Sequence, residues 1–507
     1  MRLHGISALQ GVPRKAALCL ALCGLLLAPA AATAVAATPE SSPESSATAT
    51  TPAEEAVEVL DEVTAALEQP AAVHVEGGPD LTTQLATVTE VYDDLPAPEQ
   101  RRADRLLARP TDGGRGELVN YGSAPSAQKC NKRICVHWVE RGKHAATGAG
   151  ADRNLRTVPK WVNTALDEVT KVWTSEVERM RYRAPASDGN RGNPAGLSGH
   201  RLDVYIGEIS NNGYYGYAVR ENASTGSSYL VLDNDYANLP GSALDALRVT
   251  SAHEFFHVLQ FAYRPRADAW LMETTATWME EQAFDDINDN RQYLRSSALT
   301  HPGEPLDGGL PWFYGNWIFF EHLSQRHGAA VVRDIWQRVA AGKKSTTAID
   351  RALIKRGSSL AAELAGFAAS NTVPQKVYSE GAAYPRAKPA KKPRLGKARR
   401  SAGWQQLRID HLAAKTVRYR HAGDLGKKWR IRVVLKGKGR LRGELLVLRK
   451  DGRLVRKPLV IKNGKAKAGA SFATKKVKWV AVAVANASPK RKHDRTGAQV
   501  KARLTRG

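Results

Sequence analysis

Two short strings carry the chemistry of this chain: His253-Glu254-Phe255-Phe256-His257 and Trp270-Leu271-Met272-Glu273-Thr274-Thr275-Ala276. On a helix, His253 and His257 are four positions apart and leave the same face. Two neutral imidazoles so placed can hold Zn²⁺, with Glu254 one step round, beside the water that such a metal activates. A third ligand is then required. Glu273, on what reads as the next helix, supplies it, with Glu280, Glu281 and Asp268 as rivals. Glu280 is seven residues after Glu273, on the same face, so its expected task is to accept the other N–H of a ligand imidazole.

The first string must sit on a buried helix. Ser242 can cap it, with Asp245 in its first turn. Leu244, Leu247, Val249, Ala252, Phe255, Phe256, Val258, Leu259 and Ala262 then cover most of its circumference, the pattern of a helix inside a core. Histidines and a glutamate there are costly unless coordinated or hydrogen-bonded. That favours a metal centre over the plainer alternative of core histidines. A metzincin would place Gly and a third His where this chain has Gln260 and Tyr263, so that class is excluded.

The segment from Trp270 to Glu280 resembles the W-x-x-E-x-x-A helix of the gluzincin clan, whose glutamate is the third zinc ligand, although the interval from His257 to Glu273 is shorter than gluzincins have. Over about 120–385 the likeness extends to one family. Cys135-Val-His-Trp-Val139, Asp203-Val-Tyr-Ile206, Tyr215-Gly-Tyr217, Asp233-Asn-Asp-Tyr236, His253 to Tyr263 and Tyr314-Gly-Asn-Trp-Ile-Phe319 resemble the MXAN-type metalloproteases of bacteria. The resemblance implies zinc chemistry and secretion more firmly than it implies a substrate.

The expected fold is therefore α+β: a zincin-like metallopeptidase core with an N-terminal helical propeptide and a C-terminal all-β sandwich. The expected activity is that of a secreted zinc metalloendopeptidase. His253, His257 and Glu273 hold the metal, Glu254 is the general base, and Tyr314 polarises the scissile carbonyl, with His322 as second choice for that task. The aromatic run around Tyr314 otherwise reads as core. The competing function is a cell-surface binding protein with a purely structural zinc and a basic polyanion-binding module.

Composition sets the frame. The 507 residues suffice for two or three domains. Arg14 and Lys15, an apolar run over 16–32 and Ala34-Val35-Ala36 read as a secretory signal peptide ending at 36. The remaining chain has no apolar run long enough to span a membrane. Cys130 and Cys135 are expected to form a small-loop disulfide in an oxidising compartment. Residues 37–118 read as a Thr/Ser/Pro/Ala spacer and an acidic helical propeptide, 119–385 as the catalytic domain, 386–402 as a basic linker and 403–507 as the β-sandwich.

From Arg386 onward there are 38 Lys and Arg against 5 Asp and Glu, a net of +33; the whole chain carries +25, so the rest is −8. That asymmetry suggests retention on an anionic wall polymer. The module has too few aromatics for base stacking, so no specific nucleic acid is expected. Asp233-Asn-Asp235 and the run over 285–290 are hard-oxygen clusters that can take Ca²⁺, or serve simply as turn and cap residues. A strand over 229–233 is expected to form the free sheet edge on which a peptide substrate pairs.

Overall fold

The computed structural model describes residues 51–68, 81–113, 116–150, 156–194 and 200–507. The expected signal peptide and nearly all of the spacer lie outside the described residues. Three helices come first: α1 (Pro52–Leu67), α2 (Leu81–Val91) and α3 (Ala97–Leu107). Thr51 starts α1 with a capping box: its hydroxyl accepts from the Glu54 N–H, and the Glu54 carboxylate accepts from the Thr51 N–H. Ala56, Leu60 and Val63 recur at helical spacing and pack with Leu81, Leu85 and Val88 of α2.

A five-stranded sheet follows, built from β1 (Ser126–Cys130), β2 (Ile134–Val139), β3 (Leu202–Gly207), β4 (Gly216–Arg220) and β5 (Ser228–Asp233). Between β2 and β3 runs α4 (Lys160–Trp173), and after β5 comes α5 (Ala243–Tyr263). Helix α4 keeps α geometry to Trp173 and continues as a π-helical turn over Thr174–Arg179. Strand order is β1-β2-β3-β5-β4; β2, β3 and β5 are parallel, while β1 and β4 are antiparallel to their neighbours. Every residue of β2, β3, β4 and β5 is buried because both faces are covered. Tyr205, Tyr217, Tyr229 and Val231 pack with the N-terminal helices, and Val204, Ala218, Leu230 and Leu232 with α4 and α5. The expected free edge is corrected here. Tyr229–Asp233 belongs to β5, an interior strand, and the edge beside it is β4. Cys130 and Cys135 are register partners across the β1–β2 turn and form the disulfide.

Arg109, just after α3, ties the N-terminal helices to the sheet. Its buried guanidinium lies 2.6 Å from each of the Asp188, Asp203 and Glu221 carboxylates. Breaking a buried pair by removing one partner strands the opposite charge, at about 3–5 kcal/mol. Arg109→Met is therefore expected to lower the unfolding free energy by about 3–5 kcal/mol in urea titration. A loss below about 1 kcal/mol would place the network on the solvated surface instead.

Six helices complete the middle of the chain: α6 (Ala269–Ala283), α7 (Trp312–Gly315), α8 (Trp317–His327), α9 (Ala330–Ala340), α10 (Ser345–Ile354) and α11 (Leu360–Ser370). Asn316 separates α7 from α8, and residues 355–359 separate α10 from α11. Ser359 interrupts the second pair by capping α11, its hydroxyl accepting from the Ala362 N–H.

The C-terminal part is all β: β6 (Arg394–Leu395), β7 (Ser401–Ile409), β8 (Ala413–His421), β9 (Trp429–Gly437), β10 (Leu441–Arg449), β11 (Leu454–Leu459), β12 (Lys465–Ser471), β13 (Val477–Asn486) and β14 (Thr496–Arg506). They form two facing sheets, β11-β10-β13-β8-β6 and β12-β9-β14-β7, around a shared core. The stretch expected as a linker is partly structured: β6 pairs with β8, and the Ala390 N–H donates to the Thr416 carbonyl. The outer face of the first sheet docks on α11. Leu446, Trp479, Ala481 and Ala483 join the helical core there, and Arg456 donates to the Gly366 carbonyl. Among the described residues no helix is long and apolar enough to cross a membrane.

Candidate metal centre

Helix α5 begins where the Ser242 hydroxyl accepts from the Asp245 N–H and runs on into the core, with Ala252 to Phe261 all buried. Strand β4 passes close above it. A Cβ on Gly216 would lie 2.6 Å from Thr250 Cγ2 and 3.1 Å from Glu254 Cγ, so only glycine allows this approach. Helix α6 packs against α5 along its buried side.

This packing brings His253, His257 and Glu273 together. Each offers one ligand atom, and the three atoms lie within 4.8 Å of one another. His253 Nε2 is 3.4 Å from Glu273 Oε2, and His257 Nε2 is 3.4 Å from Glu273 Oε1. Ligand atoms about 2.0–2.1 Å from a tetrahedral centre stand about 3.3–3.4 Å apart, so the spacing suits zinc. His257 Nε2 and both Glu273 oxygens are buried and have no hydrogen-bond partner. A carboxylate so placed is costly unless a cation satisfies it. Electrostatics agrees. Burial opposes charge on both imidazoles, yet the Glu273 carboxylate raises their pKa values, and the imidazoles in turn drive its own below the carboxylate range. A potential that favours a proton there favours a metal cation too.

The far nitrogens of both rings are held. His253 Nδ1 lies 2.7 Å from Glu280 Oε1, the contact expected for Glu280, whose own pKa burial raises to about 7. His257 Nδ1 lies 2.8 Å from Gln260 Oε1. The Gln260 amide nitrogen donates to the Met272 carbonyl at 3.0 Å and to Thr275 Oγ1 at 3.2 Å, which fixes Oε1 as the end facing His257. His257 Nδ1 therefore carries the proton and Nε2 keeps its lone pair for a cation. Gln260 looks like any polar helix residue in sequence; its offset of three from His257 was the only signal. Gln260→Leu is expected to weaken zinc binding about 10- to 100-fold in competition with a chromophoric chelator. Unchanged affinity would show that the Gln260 contact does not tune the site.

Glu254 stands outside the three-residue group. Its Oε2 accepts from the Thr82 hydroxyl of α2 at 2.8 Å, a contact 172 residues apart in sequence and invisible there. The Tyr314 ring lies 6.1 Å from that of His253, and Tyr293 stacks on it at 5.1 Å. Tyr293 was not foreseen: burial raises its phenol pKa, and Asp289, Glu280 and Glu273 add to that, so it borders the same site. His322 is not brought here. It faces Glu363, Phe367 and Tyr378, and burial lowers its pKa to about 4.

The rival ligands are engaged elsewhere. Asp268 accepts from Ser345, and Glu281 accepts from Asn290. Of the two oxygen clusters, Asp233 spends both oxygens on the backbone N–H groups of Ile209, Ser210, Asp235 and Tyr236, a turn-capping role. Asp285 converges with Glu281 and Glu380, where the Arg291 guanidinium lies 2.6 Å from Glu380 and offsets part of the charge.

Residues 124–373 match DUF6055, a family of unknown function. No curated protein matches the chain. Among solved structures, the pre-peptidase C-terminal domain of a Bacillus anthracis collagenase is similar at 7% identity and TM-score 0.16, covering 23% of this chain and 98% of that one. CorA, a surface-associated copper-binding protein of Methylomicrobium album BG8, is similar at 10% identity and TM-score 0.16, covering 23% of this chain and 100% of that one. A family GH115 4-O-methyl-α-glucuronidase is similar at 10% identity and TM-score 0.15, over 55% of this chain and 46% of that one.

Proposed function

We propose that this chain is a secreted, zinc-dependent metallopeptidase with a zincin-like core, of gluzincin-like type and akin to the MXAN-type metalloproteases. One observation carries the reading: two imidazole nitrogens and a buried carboxylate converge, each nitrogen 3.4 Å from a Glu273 oxygen, and His257 Nε2 and both Glu273 oxygens have no hydrogen-bond partner. Zinc held by His253, His257 and Glu273 supplies Lewis acidity, polarising a carbonyl and lowering a water's pKa towards neutrality.

The chain's own groups do the rest. Glu254, next to a ligand histidine but not itself in the cluster, takes the proton of the attacking water and delivers it to the leaving amine. The Tyr314 phenol donates to the carbonyl oxygen as it gains negative charge. Glu280 and Gln260 hold the two imidazoles in the tautomer that keeps Nε2 free for the metal. The basic sandwich, docked on the core, retains the enzyme at an anionic cell-wall polymer.

The competing reading, a binding protein with structural zinc, is disfavoured by the ligand count. A structural site is closed by four protein groups, whereas a catalytic one keeps a position open. Only three such groups converge here among the described residues. The test is metal analysis of the purified protein alongside a peptide-library digest. One zinc per chain and chelator-sensitive cleavage support the peptidase. Bound zinc with no cleavage of peptides, even after the N-terminal helices are removed by limited proteolysis, sinks it.

A further inference from the structure

Strand β4 is the edge of the sheet that passes over Glu254, and two of its outward-facing backbone groups are already taken. The Ala218 N–H donates to the Thr82 hydroxyl at 2.9 Å, and the Arg220 carbonyl accepts from the Thr89 hydroxyl at 3.0 Å. Ala218 and Arg220 are two apart in an antiparallel strand, so both point the same way, out of the sheet. Thr82 and Thr89 are seven apart, two helical turns, and share one face of α2. The helix thus answers a strand edge with side-chain hydroxyls. Arg220 reinforces the contact, its guanidinium donating to the Ala86 carbonyl at 2.6 Å. Thr82 goes further. The hydroxyl that accepts from β4 donates to Glu254, so one side chain bridges the edge and the carboxylate.

We infer that α2 is a built-in occupant of the substrate edge and that the chain is latent while it is seated. An extended polypeptide pairs with a free edge through its backbone. With α2 on β4, that edge is covered and one Glu254 oxygen is already held by the Thr82 hydroxyl. Two hydroxyl contacts and the Arg220 guanidinium replace the ladder of bonds that a strand would make, and the apolar packing of Leu81, Leu85 and Val88 keeps the occupant seated until the N-terminal helices are released. What is inhibited rests on the peptidase reading above; the contact itself does not.

The test uses the full, zinc-loaded chain as wild type, as T82V/T89V, as the milder T89A, and as T87V, a control on the exposed face of α2. The probes are a fluorescent pentapeptide hydroxamate, which needs the β4 edge, and acetohydroxamate, which needs only the metal. Acetohydroxamate is expected to bind all four chains alike, which verifies an intact site. The pentapeptide is expected to bind T82V/T89V about tenfold or more tightly than wild type, T89A in between, and T87V as wild type, with amide exchange over 216–220 speeding in step. Equal pentapeptide affinity in wild type and both weakened chains overturns the inference. Tight binding by T82V/T89V without cleavage of any peptide keeps α2 as the occupant and removes the hydrolase reading. Cleavage by wild type at the rate of T82V/T89V keeps the hydrolase and removes the latency.

Discussion

Glu273→Gln is expected to leave a folded chain that no longer holds zinc. Gln260 and Glu280 act through the imidazoles, and losing such a contact costs about 10- to 100-fold in metal affinity. Glu273 touches the site directly and supplies its negative charge. Its loss should therefore exceed a hundredfold, taking zinc content from one per chain to a trace after dialysis. Glutamine keeps the shape, so the metal-free protein should melt near the wild type. The difference lies in the response to zinc. Ligand at about a hundred times its dissociation constant stabilises the folded state by about 2.7 kcal/mol. Wild type should show that upward shift in melting temperature and Glu273→Gln should not. Full zinc content in the variant would mean that another carboxylate, with Glu280 the nearest, is the true third ligand.

The histidine pair, its helix and the returning glutamate were legible in the chain because each rests on local pattern. Ser242 caps α5, the apolar residues surround it, and the Trp270 string has its own spacing. The disulfide was legible from two cysteines with four residues between them. What was not legible depends on contacts distant in sequence. Which of β4 and β5 forms the edge is decided by a hairpin folding back outside a parallel pair, and both strands read as apolar because both are covered on two faces. Thr82 has no local signature that points to Glu254.

Strands β12 and β14 carry a weak local signal for another reason. Lys465–Ser471 packs through Ala466 and Ala470, too small to mark an alternation, and Thr496–Arg506 carries its buried Ala498, Val500, Ala502 and Leu504 among Lys and Arg. Strand β13, by contrast, reads as nearly continuous apolar sequence because one face fills the sandwich and the other meets α11.

Glu254→Gln separates holding a metal from using it. Glu254 lies outside the cluster of converging ligand atoms, so the variant should keep its zinc and its zinc-dependent rise in melting temperature. The amide oxygen of the introduced glutamine can still accept from Thr82, so the seat of α2 should survive as well. What the amide cannot do is take a proton. A positioned general base contributes about 10²- to 10⁴-fold, or about 2.7–5.4 kcal/mol of barrier. The fall should appear in kcat rather than KM, because the carboxylate acts on the water and not on the bound peptide. It is best measured in the T82V/T89V background, where latency does not mask turnover. Peptide hydrolysis within about threefold of the parent would dismiss Glu254 as the base and turn attention to Glu280, whose carboxylate lies 2.7 Å from His253 Nδ1. Loss of zinc along with activity would make Glu254 a ligand and return the site to four protein groups, the closed arrangement of a structural metal.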